Sequence, residues 1–461
     1  MVLIAYLGGH VVLGIVIKQL PFLATAHALL SVFYACYVAW TSKDQVRVIQ
    51  VMAYLAASEV LWRMTKAGIF WEFGKYSVSM VLLISLCRRR PEKWNLFAIA
   101  YFLLLIPSTL LTFVKIEDFS QLRQTISFSL SGPVSLAVCM VCLYRVRLTL
   151  RQGSQLILTM LGPLTGVAAI CSYATARLSA DYEFGNESNF DVTGGFGPNQ
   201  VSSALGLGIL LAFLWIQVNR QSRMLRSVGI VLVLLFFAEA ALTFSRTGVW
   251  MGVITIVIAS CFIVRDRRRL ISAFASLLLL AAMGYFAVFP ILDAFTRGKL
   301  SARFTESGFS NREDIARADL ELGLRHPLFG VGLGMVKTVR ARELGIHGAA
   351  HTEMTRVVAE HGILGICALT ALFLSGLQAF KGNGTPISRA WTASLLAYAA
   401  LFMLASGMRL ATPALAMGLA FLRLQLVSGP RSSTASRTKR MWKGWANANE
   451  GTPFRSRLHT F

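Results

Sequence analysis

Apolar runs of about twenty residues recur along this chain, separated by short polar connectors. They fall at roughly 2–20, 22–40, 48–64, 69–87, 95–114, 126–146, 155–175, 200–218, 228–244, 248–264, 270–290, 354–378, 389–407 and 409–427. Each is long enough to cross a hydrocarbon core of about 30 Å. The runs are continuous rather than alternating, which predicts helices and argues against a β-barrel. The expected fold class is an all-α polytopic membrane protein with about twelve to fourteen transmembrane helices and one large, partly helical loop. The first run opens the bundle directly, with no cleavable leader evident ahead of it.

That loop interrupts the pattern. It divides the chain into N-terminal helices (1–150), central helices (151–290), the loop itself (291–353), C-terminal helices (354–428) and a tail (429–461). Loops longer than about 12–15 residues usually carry function or are disordered. This one has its own helix signal. Ser310-Asn311-Arg312-Glu313 fits a capping box, and His326-Pro327 ends the helix near Arg325. The glycines of Phe329-Gly330-Val331-Gly332-Leu333-Gly334 suit a re-entrant turn better than a nucleotide fingerprint, since no strand precedes them.

Composition supports the membrane class. The 461 residues are 55% hydrophobic and 15% charged, against about 25% charged in soluble domains. The net charge of +23 suggests nucleic acid only until its distribution is read. Arg88-Arg89-Arg90 with Lys93, then Arg145, Arg147 and Arg151, then Arg220, Arg223 and Arg226, then Arg265 with Arg267 to Arg269, and the tail beyond Gly429 all fall on one side of the expected topology. By the positive-inside rule that side is the cytoplasm, with both termini there. No nucleic-acid partner is expected. The opposite side receives 115–125, the acidic 176–199 with Asp181, Glu183, Glu187 and Asp191, and the long loop. The basic tail reads as a disordered topogenic segment, with contact to anionic lipid as the other reading.

Candidate chemistry crowds the end opposite the basic connectors. Ser245-Arg246-Thr247-Gly248 forms a tight link between two runs; its arginine suits a phosphate oxygen pair or, alternatively, simple anchoring at the interface. Gly194 to Gln200, with Asn199, reads as a turn into a helix. His351 stands at the start of the next helical stretch, where an imidazolium is disfavoured. A neutral imidazole there is able to accept a proton; the other reading is a histidine that only hydrogen-bonds the loop. Arg303, Arg325, Asn199 and Glu353 are candidate lining residues. Glu59, Arg63, Lys66, Glu72 and Lys75 read as a structural ion-pair cluster at the same end. His347 and His351 have metal-pair spacing but lack further ligands, so no metal site is expected. All seven cysteines lie in apolar runs, which gives no disulfide framework. Clustered arginines suit a diphosphate, and a single histidine suits deprotonation of a hydroxyl.

Four stretches, in order, carry a resemblance: Gly194–Gln200 (GGFGPNQ), Leu242–Gly248 (LTFSRTG), the arginine-bearing helix with His326–Gly334 (HPLFGVGLG), and Ala350–Gly365 (AHTEMTRVVAEHGILG). With the helix pattern around them, the region 155–425 resembles the O-antigen ligase and O-antigen polymerase superfamily of bacterial inner-membrane glycosyltransferases. The family often has His-Asn where this chain has His351-Thr352, a difference that bears on the acceptor more than on the chemistry. The resemblance implies a GT-C-like fold. It implies transfer of a glycan from an undecaprenyl-diphosphate carrier to an acceptor hydroxyl (a glycan, a lipid or another molecule) at the periplasmic face, without nucleotide, metal or other cofactor. It also implies that Arg246 and Arg312 hold the diphosphate and that His351 is the catalytic base. The alternatives within reach are a polymerase joining repeat units of O-antigen or exopolysaccharide and, from another class, a lipid-linked glycan flippase.

Overall fold

A computed structural model describes residues 2–179, 182–185, 187–263, 282, 285–286, 289–305 and 312–425. The run expected at 270–290, the connector Arg265 to Arg269, the expected cap Ser310-Asn311 and the tail beyond Gly429 lie wholly or mostly outside the described residues.

The described chain is all-α apart from one three-residue strand pair. Helices α1 (Val2–Gln19), α2 (Pro21–Thr41), α3 (Gln45–Met64), α4 (Phe73–Arg88), α5 (Leu96–Lys115) and α6 (Phe119–Cys142) lead into strand β1 (Arg147–Thr149). Then follow α7 (Leu150–Ala176), α8 (Pro198–Val218), α9 (Arg223–Leu242) and α10 (Arg246–Ile263). Four short helices come next: α11 (Phe289–Phe295), α12 (Lys299–Thr305), α13 (Arg312–Arg325) and α14 (Val336–Leu344). The chain closes with α15 (Glu353–Lys381), α16 (Pro386–Ser406), α17 (Thr412–Leu419) and β2 (Arg423–Gln425). Among the described residues, ten helices are long and apolar enough to cross a membrane: α1, α2, α5 to α10, α15 and α16.

Local signals set many of the boundaries. Asp44, Asn95, Asp118, Ser222 and Thr385 each accept a backbone N–H from the first turn of the following helix. Thr149 and Gln152 form a reciprocal capping box at the start of α7. Each cap satisfies donors that helix geometry leaves without a partner. Helices α7 and α8 form the centre, and α8 buries almost every residue from Pro198 to Trp215. Small residues let its neighbours approach. A Cβ on Gly248 would lie 1.8 Å from the Ser202 carbonyl oxygen, so α10 packs against α8 backbone to backbone at its first turn.

The run at 409–427 departs from expectation. It is not a twenty-residue helix. The chain leaves α16 at Gly407 with φ 60° and ψ −160°, runs irregularly to Ala411, forms only the eight residues of α17, and ends in β2. An eight-residue helix spans about 12 Å. Irregular backbone among membrane helices is tolerated only where protein satisfies its polar groups, and here it does. Met408 N–H donates to Glu353 Oε2 at 3.2 Å, and Ala411 N–H donates to Glu59 Oε2 at 2.6 Å. Lys75 Nζ reaches the Met408 carbonyl at 3.4 Å. At the far end Trp391 Nε1 and Thr392 Oγ1 each donate to a carbonyl, of Leu419 and of Ala420, both at 2.8 Å. Glu59 and Lys75, expected in an ion-pair cluster at the outer end, are fully buried and hold a broken segment in place.

Candidate functional site

The site lies at the end of the bundle away from β1 and β2, and a second broken helix builds it. Helix α15 loses helical geometry at Gly362, with φ 59° and ψ −134°. That break frees two carbonyls and an N–H, and the glycine-rich loop takes all three. Val331 N–H donates to the Ala359 carbonyl at 2.9 Å, Gly332 N–H to the Glu360 carbonyl at 3.2 Å, and Ile363 N–H to the Pro327 carbonyl at 2.7 Å. A Cβ on Gly330 would sit 2.3 Å from the Glu360 carbonyl carbon, so this contact requires glycine as well as its positive φ of 69°. The loop is also held on α5, through Thr112 Oγ1 and Lys115 Nζ, each 2.9 Å from a loop carbonyl. The two motifs HPLFGVGLG and AEHGILG thus interlock, which fits the expected re-entrant turn.

Docking that loop places α13 and α14 over the mouth. Asp319 of α13 and Arg340 of α14 form an ion pair with both side chains at 0% exposure. The rest of the Arg340 fork donates to the Gly348 and Ile346 carbonyls. Arg409, from the broken stretch before α17, donates to the Ala350 carbonyl at 3.3 Å. Two guanidiniums therefore hold the backbone that leads to His351. His351 is half-buried and precedes Thr352, the first residue before α15. Its pKa falls from the usual 6.5 to about 4, first because burial penalises the charged ring and then because Arg312, Arg409 and Arg340 repel a proton. Neutral pH leaves the ring uncharged.

Arg246 opens α10, where the helix dipole favours anions; within that first turn the Gly248 N–H donates to Ser202 Oγ at 3.1 Å. The turn before it is fixed by Phe244, which takes a positive φ of 57°. Its fully buried ring stacks on Phe184 at 5.5 Å. Ser245 Oγ donates to Asn199 Oδ1 at 2.7 Å, and Ser202 Oγ donates to the Ser245 carbonyl at 2.8 Å. Asn199 therefore steadies the turn that carries Arg246. Arg303, from α12, reaches the Phe244 carbonyl at 3.3 Å. Arg312 is the first residue of α13. Burial lowers its pKa, and after burial the charges of Arg409, Arg303 and Arg246 do so. Four guanidiniums thus share one region beside an uncharged imidazole.

Of the residues expected in the site, the structure brings together His351, Arg246, Arg312, Arg303 and Asn199. Arg325 stands elsewhere: it pairs with Glu321 at 2.6 Å on the outer surface of α13, with side chains 47% and 50% exposed. Glu353 is almost fully buried. It bonds Arg356 and the Met408 N–H, so it supports the wall of the site from behind. Arg356 is also held by Glu360 at 2.9 Å. Arg409 and Arg340 were missed from sequence.

These features define a multi-pass membrane protein whose mouth is suited to a multiply charged anion and an uncharged acid–base group. Residues 231–370 match a family model described as O-antigen ligase. Over that stretch, under half of its length, the chain is similar to the O-antigen ligase family. No curated protein matches the chain. The matched stretch contains Arg246, Arg303, Arg312, Arg340 and His351; Asn199 and Arg409 lie outside it.

Proposed function

We propose that this chain is an O-antigen ligase-like glycosyltransferase. It moves a glycan from an undecaprenyl-diphosphate carrier to an acceptor hydroxyl on the periplasmic face of the bacterial inner membrane, with both termini cytoplasmic. One observation carries the reading: Arg312, which feels the charges of Arg409, Arg303 and Arg246, also acts with Arg409 on an imidazole held neutral by its surroundings. Arg246 and Arg312 bind the diphosphate and stabilise the charge that grows on it as it leaves. Their planar forks match its oxygens. The acceptor oxygen attacks the anomeric carbon, the bond from that carbon to the diphosphate oxygen breaks, and the acceptor proton passes to His351. Direct displacement inverts the anomeric configuration. The donor carries its own leaving group, so the reaction draws on neither nucleotide nor metal.

The arginines also tie the base to the donor. One of the charges that lower the pKa of His351, that of Arg312, is one that a bound diphosphate neutralises. Donor binding therefore raises the basicity of the ring when an acceptor arrives.

The test is turnover by purified His351→Ala with purified lipid-linked donor and acceptor. Loss of the base lowers the rate by about 10²–10⁴ while the protein still inserts and accumulates. Turnover within about tenfold of the parent would remove the base from the proposal. Products separate ligase from polymerase: a ligase yields a capped acceptor, whereas a polymerase yields longer carrier-linked chains.

A further inference from the structure

The opposite end of the bundle holds a second gathering of cations. A cavity of about 800 Å³ opens there between α3, α4, α6 and the strand pair, lined by Arg89, Arg90, Lys93, Arg145, Arg147 and Arg423. Glu92 is the one carboxylate in the lining. Among the described residues none of these six cations is in an ion pair. Topology asks only that positive residues lie on one side; it does not ask that they converge on a cavity.

This convergence is built. Strands β1 and β2 pair in parallel with Arg147 opposite Arg423. The pair is anchored by Leu148 and Leu424, both almost fully buried. Arg423 N–H donates to the Val146 carbonyl at 2.8 Å, and Arg145 N–H to the Phe421 carbonyl at 3.2 Å. Arg145 takes a left-handed backbone, φ 60°, uncommon for a residue with a side chain. Burial, and then the charges of Arg145 and Arg147, lower the pKa of Arg423. The cations are thus held against their mutual repulsion.

An apolar groove of about 140 Å³ adjoins the cavity and shares Leu86 and Cys142 with it. Its walls come from α4, α5 and α6, and Leu83 and Leu103 are exposed on its rim. A cationic chamber continuous with an apolar slot on a lipid-facing surface has the two-part shape of a phospholipid. We propose that this end of the protein is a binding site for an anionic phospholipid, with the phosphate among Arg145, Arg147 and Arg423 and one acyl chain in the slot between α4, α5 and α6.

The full chain is purified in detergent, and its melting and co-purifying lipid are followed with added phosphatidylglycerol, phosphatidylcholine or inorganic phosphate. Phosphatidylglycerol raises the melting temperature and stays bound at one per chain in native mass spectrometry; phosphatidylcholine does neither. Each arginine near an anionic headgroup is worth about fivefold in affinity. Arg147→Gln therefore weakens phosphatidylglycerol binding by about fivefold, and the triple change R145Q/R147Q/R423Q abolishes the preference. Should the triple variant fail to accumulate, the exposed Arg147→Gln alone decides. Val138→Trp fills the slot and lowers lipid retention. Equal shifts with the two lipids, or an Arg147→Gln variant that binds phosphatidylglycerol like the parent, overturn the site. A full shift from inorganic phosphate alone overturns the lipid assignment in favour of a soluble anion.

Discussion

Both ends of the bundle collect guanidinium groups, and they hold them differently. At the basic end the cations are half-buried or exposed, without a paired carboxylate among the described residues, and three of them, Arg145, Arg147 and Arg423, are fixed by backbone pairing. At the mouth, carboxylates are abundant but already committed: Asp319 to Arg340, Glu353 and Glu360 to Arg356. Those committed pairs position backbone and helices, while Arg312 and Arg409 make no ion pair among the described residues. Arginine count therefore says little about what an end does. Burial, and the partner each arginine has already taken, separate scaffolding cations from those left to meet a substrate.

The largest effect that sharpens this contrast is on Asp319→Ala. It leaves the Arg340 guanidinium buried and unpaired, at a cost of about 3–5 kcal/mol. The backbone before His351 loses its clamp with it. Thermal unfolding and cellular accumulation should fall sharply. Arg147→Gln at the basic end should change intrinsic stability by less than about 1 kcal/mol. If the two substitutions destabilise equally, the distinction between committed and uncommitted cations fails.

Next in size is Arg409→Gln. It removes one charge that holds the proton off His351 and one support of the Ala350 carbonyl. On the proposed mechanism the neutral ring is the active form, so activity is lost as pH falls through its pKa. In the parent, the acidic limb of kcat/KM should lie near 4, and that of kcat at a higher pH, because the bound donor neutralises Arg312. In the variant the limb of kcat/KM moves up towards 6.5, the ring's unperturbed value. Turnover at neutral pH drops by roughly ten- to a hundredfold, the scale of one hydrogen-bonded charge. A limb that stays in place would mean that Arg409 only braces the backbone.

Most of the bundle was legible because an apolar run of hydrocarbon length permits few structures. Arg246, Arg312 and His351 were legible because each stands at a helix start next to a turn signal. Arg409 was not, because it abuts an apolar stretch that reads as one more span; its only signals were Gly407 behind it and Pro413 ahead. Asp319 and Arg340 were hidden for another reason. They lie 21 residues apart on two short helices, and a buried pair of that separation leaves no periodic trace. The interlock of Gly330 with the break at Gly362 escaped likewise, since each motif reads as an independent turn until the two meet.

The smallest expected effect is also a direct probe of where the mouth ends. Arg325 was expected to line the site, yet it faces outward on α13 in an i, i+4 pair with Glu321. Exposed pairs of this kind contribute about 0.3–0.5 kcal/mol. It is absent from the charges acting on His351 and on Arg312. Arg325→Gln should therefore leave melting within about 0.5 kcal/mol of the parent and leave transfer unchanged at saturating donor. The measurement pairs naturally with Arg312→Gln at the other end of the same helix, which should impair transfer without changing the fold. Loss of transfer in Arg325→Gln comparable to that in Arg312→Gln would extend the anion-binding surface along the whole of α13. The bound glycan would then lie across the outer helices, with its chain leaving the mouth past Arg325.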